Sequence, residues 1–191
     1  SSDLTTNIIE VNGTVNFTSD LIISNNIIFN DANISIVGFQ ATENCSFLGS
    51  AIFNLSTTST PTQWRIIGGK TLTLSPTEFF IFLGFIAISN SGAMLYDGTT
   101  GEVSFSDCKL RLVGNPQLNI SNFTVKELQI QTNSITLVND IIVLGDLTYT
   151  ASLLTLVNGI GRTITIYGSL FIPNHTTQNI LGSATLILAG Q

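Results

Sequence analysis

The segment Ile135-Thr-Leu-Val-Asn139 returns as Leu154-Thr-Leu-Val-Asn158, and Leu144-Gly-Asp-Leu147 resembles Tyr167-Gly-Ser-Leu170. The two spacings differ slightly and give a drifting period of about 21 residues, which is typical of the short recurring strands of a β-solenoid. In that fold each coil of the chain hydrogen-bonds to the next, and inward apolar residues stack into one continuous core. These echoes therefore predict a solenoid over the second half of the chain.

The rest of the chain is also built of strands and turns. Short runs rich in Ile, Leu, Val, Phe and Thr alternate with breaks of Asn, Gly, Asp and Ser. No apolar pattern with the 3.6-residue period of a helix extends over a useful length. We predict an all-β protein, with a β-solenoid as the favoured architecture and a β-sandwich or jelly roll as the alternative.

The N-terminal segment fits the repeat less well. It could form one strand, a hairpin that turns at Asn12-Gly13, or a strand donated to a neighbouring subunit, and the last option belongs with a sandwich. We divide the chain into a strand segment, 1–18, which subunits could exchange, and an all-β body, 19–191. The apolar face of the predicted assembly strand comprises Ile9, Val11, Val15 and Phe17.

The most apolar stretch is Phe79–Ile88, with apolar residues at both odd and even positions. A strand of this kind is either central in a two-sided core or covered by a partner. The stretch is too short for a membrane-spanning helix, which needs about 20 residues. We therefore predict no membrane span.

Charge is scarce in this chain. Charged residues make up 9% of it and the net charge is −6, against about 25% charged residues in an average soluble domain. Six scattered basic residues argue against a nucleic-acid partner, because such proteins neutralise phosphates with clustered Lys and Arg. The polar surface must come from Ser, Thr and Asn, which together account for 62 of 191 residues.

Eight Asn-x-Ser/Thr acceptors predict N-glycosylation, which would solubilise a surface short of charges. Chance composition would give about four such triplets, although Asn, Ser and Thr also serve as ordinary turn residues. The chain begins with Ser, so either a signal peptide has been removed or the sequence was trimmed. We expect the first, and with it an extracellular or cell-surface protein. The acceptors are Asn12, Asn16, Asn33, Asn44, Asn54, Asn119, Asn122 and Asn174.

The two cysteines, Cys45 and Cys108, fit one disulfide in an extracellular protein, or alternatively two buried free thiols. In an uninterrupted solenoid they would lie three coils apart, about 14 Å, whereas a disulfide needs Cα atoms within about 7 Å. The one histidine, His175, lies inside an acceptor triplet. We predict no metal site and no cofactor.

Two other functions, polysaccharide cleavage and carbohydrate binding, would each require particular side chains. A polysaccharide-cleaving enzyme would use Asp97, Glu102 and Asp107 beside Lys109 and Arg111, which share a face if their segment is a strand. A solvated turn with ion pairs explains this stretch better, so we predict no catalytic residues and no enzyme. A carbohydrate-binding module would need an exposed aromatic platform, for which the candidates are Trp64, Tyr96, Tyr149 and Tyr167.

The repeating second half resembles the parallel β-helix stalks of bacterial and viral surface fibres and adhesins. The acceptor density, low charge and N-terminal strand resemble the glycosylated filament subunits of archaea, in which each subunit donates a strand to the next. Both resemblances imply a secreted, glycosylated structural subunit that assembles head-to-tail with itself into a filament or surface fibre. An adhesive carbohydrate-binding module is the alternative, and a polysaccharide-cleaving enzyme comes last.

Overall fold

A computed structural model describes residues 8–132, 134–150, 156–172 and 183–190. Throughout these ranges the chain has strands and no helix, and it winds as a parallel β-solenoid of about seven turns. The predicted all-β, solenoid-like fold is confirmed, and the sandwich alternative is not adopted. The strands are β1 Ile8–Phe17, β2 Leu21–Ile23, β3 Asn26–Ile36, β4 Gly38–Ala41, β5 Cys45–Asn54, β6 Thr62–Ile66, β7 Thr71–Asn90, β8 Ala93–Tyr96, β9 Glu102–Gly114, β10 Gln117–Ile120, β11 Phe123–Gln131, β12 Ser134–Thr136, β13 Ile141–Val143, β14 Leu147–Tyr149, β15 Leu156–Asn158, β16 Thr163–Ile166, β17 Leu170–Phe171 and β18 Thr185–Leu188.

Each coil crosses three faces, and the strands of one face pair in parallel along the solenoid axis. The first face begins with the register Ile9, Ile27, Phe47, and the second with Val15, Ile34, Phe53. The third face begins with β2, β4 and β6 and continues through the later parts of β7, β9 and β11. Long strands such as β3 and β5 therefore bend at a corner and contribute to two faces, and β7 bends twice and contributes to all three.

The corner between the first two faces relies on left-handed backbone. Positive φ occurs there at Gly13, Asp31 and Gly49. At each of these corners a β-bulge shifts the register between the paired strands. A Cβ on Gly49 would lie 1.9 Å from the carbonyl oxygen of Phe29, so only glycine fits. The Asn12-Gly13 hairpin is not formed, because both halves of β1 pair in parallel with β3.

The apolar stretch Phe79–Ile88 also crosses a corner. Phe80 and Phe82 point inward before Gly84, which has φ of 97°, and Ile86 and Ile88 point inward after it. The inward residues are even-numbered on both sides of the bend. The odd-numbered apolar residues therefore lie on the outward side of the strand, where Phe85 and Ala87 are nevertheless buried. This strand lies centrally, between β5 and β9 on the second face.

Coil length drifts more than the sequence echoes indicate. One coil separates Asn12 from Asn30 by 18 residues and Ser50 from Thr77 by 27. The sequence repeat that aligns Leu147 with Leu170 matches the strand pairing in the structure, because these two residues are register partners. The other echo is out of register, because Ile135 pairs with Val157.

Candidate functional site

The predicted glycan acceptors lie on outward positions wherever the structure describes them. Five of these asparagines are exposed and two are half-buried. Asn174 lies outside the described residues. The exposed acceptors are Asn12, Asn16, Asn33, Asn44 and Asn122, and the half-buried ones are Asn54 and Asn119.

Several of these amides form ladders between neighbouring coils. The Asn30 amide donates to the Oδ1 of Asn12 at 2.8 Å, and the Asn139 amide donates to that of Asn119 at 2.8 Å. The nitrogens of Asn12 and Asn119 do not donate in these bonds, so these two ladders do not use the atom that would carry a glycan. A third ladder does use it, because the Asn54 amide nitrogen donates to the Oδ1 of Asn33. Glycosylation itself stays a prediction.

The two cysteines are free thiols buried in the core, and the disulfide that the sequence allowed is not formed. Burial raises the pKa of Cys45 to about 11 and that of Cys108 to about 12. Thiols held in the protonated form are poor nucleophiles and poor metal ligands. They act here as small apolar core residues.

The candidate aromatic platform is mostly inside the protein. Trp64, Tyr96 and Tyr149 are buried, and only Tyr167, which is 52% exposed, presents its ring to solvent. Three of the four rings are therefore unable to stack on a sugar. A carbohydrate-binding function would need another surface.

The candidate carboxylates do not form one cluster. Glu102 borders a depression with Tyr96 and Asn122, whereas Asp107 borders a different one with Lys109. Hydrogen bonds from the Thr99 backbone and hydroxyl lower the pKa of Asp97, while a general acid needs a raised pKa. This geometry gives no paired acid and base.

The strongest concentration of charge lies in a groove of about 620 Å³ on the side of the solenoid. Lys109 and Arg111 share one face of β9, as predicted from their spacing. The structure adds neighbours from other coils, since Glu127 pairs in register with Lys109, and Gln129 with Arg111. The remaining lining residues are Thr57, Thr58, Ser59, Gly84, Phe85, Asp107 and Lys126.

Phe85 forms the floor of this groove. It is only 5% exposed yet lies outside the main core cluster, because cations and a loop cover it. The Lys109 ammonium is 5.2 Å and the Arg111 guanidinium 4.9 Å from the ring centroid. The backbone NH of Phe85 donates to the carbonyl of Ser56 at 2.6 Å, which holds the 57–59 loop above the ring.

The charges in the groove are only partly neutralised. Lys109 forms a 2.7 Å ion pair with Glu127, and the Arg111 Nε donates to the Gln129 side-chain oxygen at 2.9 Å. Within the described part of the chain, no salt bridge neutralises Arg111 or Lys126. Sequence reasoning missed Phe85 and Lys126 because the coil register that brings them here is irregular.

The two ends of the solenoid form a second candidate surface. The outer edges of β1 and β18 have no partner strand among the described residues. Eight of the ten exposed large apolar side chains of the described ranges lie after residue 141. They are Ile142, Leu144, Ile160, Tyr167, Phe171, Ile172, Ile187 and Leu188. Ile142 is not part of the end surface, because its strand β13 pairs with β11 and β16 on its two sides and Ile142 points outward from the side face.

The described ranges contain no helix long and apolar enough to cross a membrane. They also contain no group of three or more His, Cys, Asp or Glu side chains placed to hold a metal ion. No family model, curated protein or solved structure matches this chain.

Proposed function

We propose that this chain is a secreted, glycosylated structural subunit that assembles with itself, head-to-tail, into an extracellular filament or surface fibre. The observation that carries the proposal is that the core stack of the described coils is uncovered at both ends. A β-solenoid whose ends are uncapped offers both unpaired backbone groups and apolar side chains to another chain.

At the C-terminal end, β18 extends the stack of core side chains beyond the last described coil that covers it. Leu188 pairs in register with Ile166, which is fully buried. Leu188 therefore continues an inward column, but it is 63% exposed because no further coil of the described chain lies on it. Burying such a side chain contributes on the order of 1–2 kcal/mol.

At the N-terminal end, β1 has the complementary geometry. Its apolar residues stack on β3, with Ile9 on Ile27 and Val15 on Ile34. Ile9, Val15 and Phe17 stay only partly buried, because their other side has no neighbour in the described chain. A second copy placed with β18 against β1 would repeat the parallel pairing that joins the internal coils.

Charge favours this head-to-tail orientation. Residues 1–64 contain five acidic and no basic residues, so two N-terminal ends would repel each other. The C-terminal coils present mainly apolar side chains instead. A contact between two different surfaces generates an open polymer when its rotation does not close into a ring, and stacking along the solenoid axis is a contact of this open kind.

The intramolecular pairing of β1 supports end-to-end stacking over strand donation. Nine register pairs join β1 to β3, and a donated strand would have to give these up. Exchange of residues 1–18 between subunits stays a prediction. Deleting them would not test it, because stacking through β1 uses the same segment. A disulfide introduced by Asn12→Cys with Asn30→Cys, which lie in register on β1 and β3, tests it, because it ties β1 to its own β3 and so blocks donation while stacking is left possible.

The decisive experiment is electron microscopy of the purified native protein with a matched pair of variants. Leu188→Glu puts a charge on the terminal core column and should abolish filaments or reduce their length at least tenfold. Ile142→Glu makes the same type of change on an exposed residue of the side face and should leave filaments intact. Intact mass above 20.5 kDa would test for the glycans.

Each outcome of the microscopy experiment bears on a different part of the proposal. Monodisperse particles from the native protein would overturn the homopolymer. Filaments that persist in Leu188→Glu would overturn stacking through β18, and loss in both variants would show a non-specific effect of added charge.

A further inference from the structure

We infer that the groove over Phe85 is a binding site for a carboxylate-bearing polysaccharide. It lies on the side of the solenoid, so it is independent of the assembly proposed for the ends. The inference rests on the position of three cations, on the direction of the groove and on the polar groups that line it.

Half of the basic residues of this acidic protein line the groove. Lys109, Arg111 and Lys126 are three of only six Lys and Arg in a chain of net charge −6. The ion pair with Glu127 uses Lys109, which leaves Arg111 and Lys126 against one further lining carboxylate, Asp107. The groove therefore attracts anions although the molecule as a whole repels them.

The contacts of Arg111 orient its guanidinium so that it can bind a carboxylate. Its Nε is occupied by Gln129 and its guanidinium lies against the Phe85 ring, so the plane of the group is fixed on two sides. Among the described residues, its terminal nitrogens have no hydrogen-bond or ion-pair partner. A planar guanidinium fork binds a planar carboxylate through two parallel hydrogen bonds.

The shape of the groove indicates a chain rather than a single ion. Phe85, Lys109 and Glu127 are register partners on three successive coils, so the floor runs along the axis for about 10 Å. The exposed loop residues Thr57, Thr58 and Ser59 form one wall. The Thr58 hydroxyl is used within the loop, where it donates to the Thr60 carbonyl. The hydroxyls of Thr57 and Ser59 and the Gln129 amide nitrogen are therefore the groups that suit the hydroxyls of sugars.

Other anionic polymers fit less well. Nucleic acids bind through many phosphate contacts and through bases stacked on exposed aromatic rings. This groove has three cations, and Phe85 is almost fully covered. The choice of a uronate polymer follows from this combination of few charges with many hydroxyl and amide groups.

The test is isothermal titration of the full chain with an oligogalacturonide of about six sugars. Arg111→Gln should weaken binding about tenfold, equivalent to about 1.4 kcal/mol, and Lys126→Gln about threefold. Arg162→Gln removes the same charge from an exposed arginine outside the groove and should leave the affinity unchanged. Circular dichroism of each variant checks that the fold is retained.

Two further ligands make the result specific. The methyl-esterified oligogalacturonide has the same sugars without the charge and should bind at least tenfold more weakly. A single-stranded DNA oligonucleotide should show no measurable binding. The inference is overturned by absent binding of the acidic sugar, by equal binding of the ester or of DNA, or by an Arg162→Gln loss equal to that of Arg111→Gln. Leu188→Glu should bind normally, so failure here is distinct from failure of assembly.

Discussion

The central coils and the C-terminal coils of the solenoid share one topology but differ in how they are held together. The central strands β5, β7 and β9 contain 10, 20 and 13 residues. The C-terminal strands β13, β14, β16 and β17 contain two to four residues each. The central core is aromatic, whereas the C-terminal core is mainly aliphatic.

The aromatic rings of the central coils form one column. Phe82 stacks on Phe53 at 4.7 Å and on Phe105 at 4.3 Å between centroids. Trp64 and Phe80 pack edge-on against Phe53. Side chains of this size bury more apolar surface per coil than aliphatic ones, so the column ties successive coils together.

The difference shows how a solenoid distributes its stability. Each coil contacts only its neighbours, so stability is close to a sum of local coil and interface terms. The central coils then act as the stable block, and the C-terminal coils depend on what covers their open end. This agrees with the place where exposed apolar side chains accumulate.

The largest effect should follow from breaking the aromatic column. Phe82→Ala removes a fully buried ring and leaves a cavity between two others, so the free energy of unfolding should fall by about 3–5 kcal/mol. Phe171→Ala, which truncates a half-exposed ring on β17, should cost less than about 0.5 kcal/mol. Urea unfolding of the monomer measures both, and equal losses would contradict the division into two regions.

A smaller effect is expected from the corners. Gly49 and Gly13 both have positive φ, but only Gly49 lies against a neighbouring coil, while a Cβ on Gly13 would meet nothing within 4 Å. Gly49→Ala should cost at least about 3 kcal/mol, from backbone strain plus a clash with Phe29. Gly13→Ala should cost about 1 kcal/mol, from strain alone. Similar unfolding midpoints for the two variants would show that the central corner is not tightly packed.

Hydrogen exchange should sharpen the comparison without any substitution. In the monomer, backbone amides of β5 and β7 should exchange at least tenfold more slowly than those of β16 and β18, because the end coils open without unfolding the aromatic block. In assembled material the protection of β18 should rise. Uniform protection along the chain would show that the solenoid unfolds as a single unit.

The candidate groove illustrates why local patterns are insufficient for a site. The spacing of Lys109 and Arg111 along one strand was enough to predict that they share a face. Phe85 and Glu127 lie on the coils before and after Lys109, and the register of the coils brings them beside it. One coil spans between 18 residues, from Asn12 to Asn30, and 29 residues, from Phe53 to Phe82, so no fixed period could have placed these residues together.

The sequence by itself determined the strand class, the face that Lys109 and Arg111 share, and the coil register between Leu147 and Leu170. These properties are local, because side chains alternate with a period of two and turns need particular residues. Only the tertiary structure decided the free state of the cysteines, the burial of Trp64 and Tyr149, and the cover over Phe85 and Ala87 on the outward side of β7, which explains the apolar stretch. These depend on which coil lies next to which, and that follows from the packing of the whole stack rather than from any single segment.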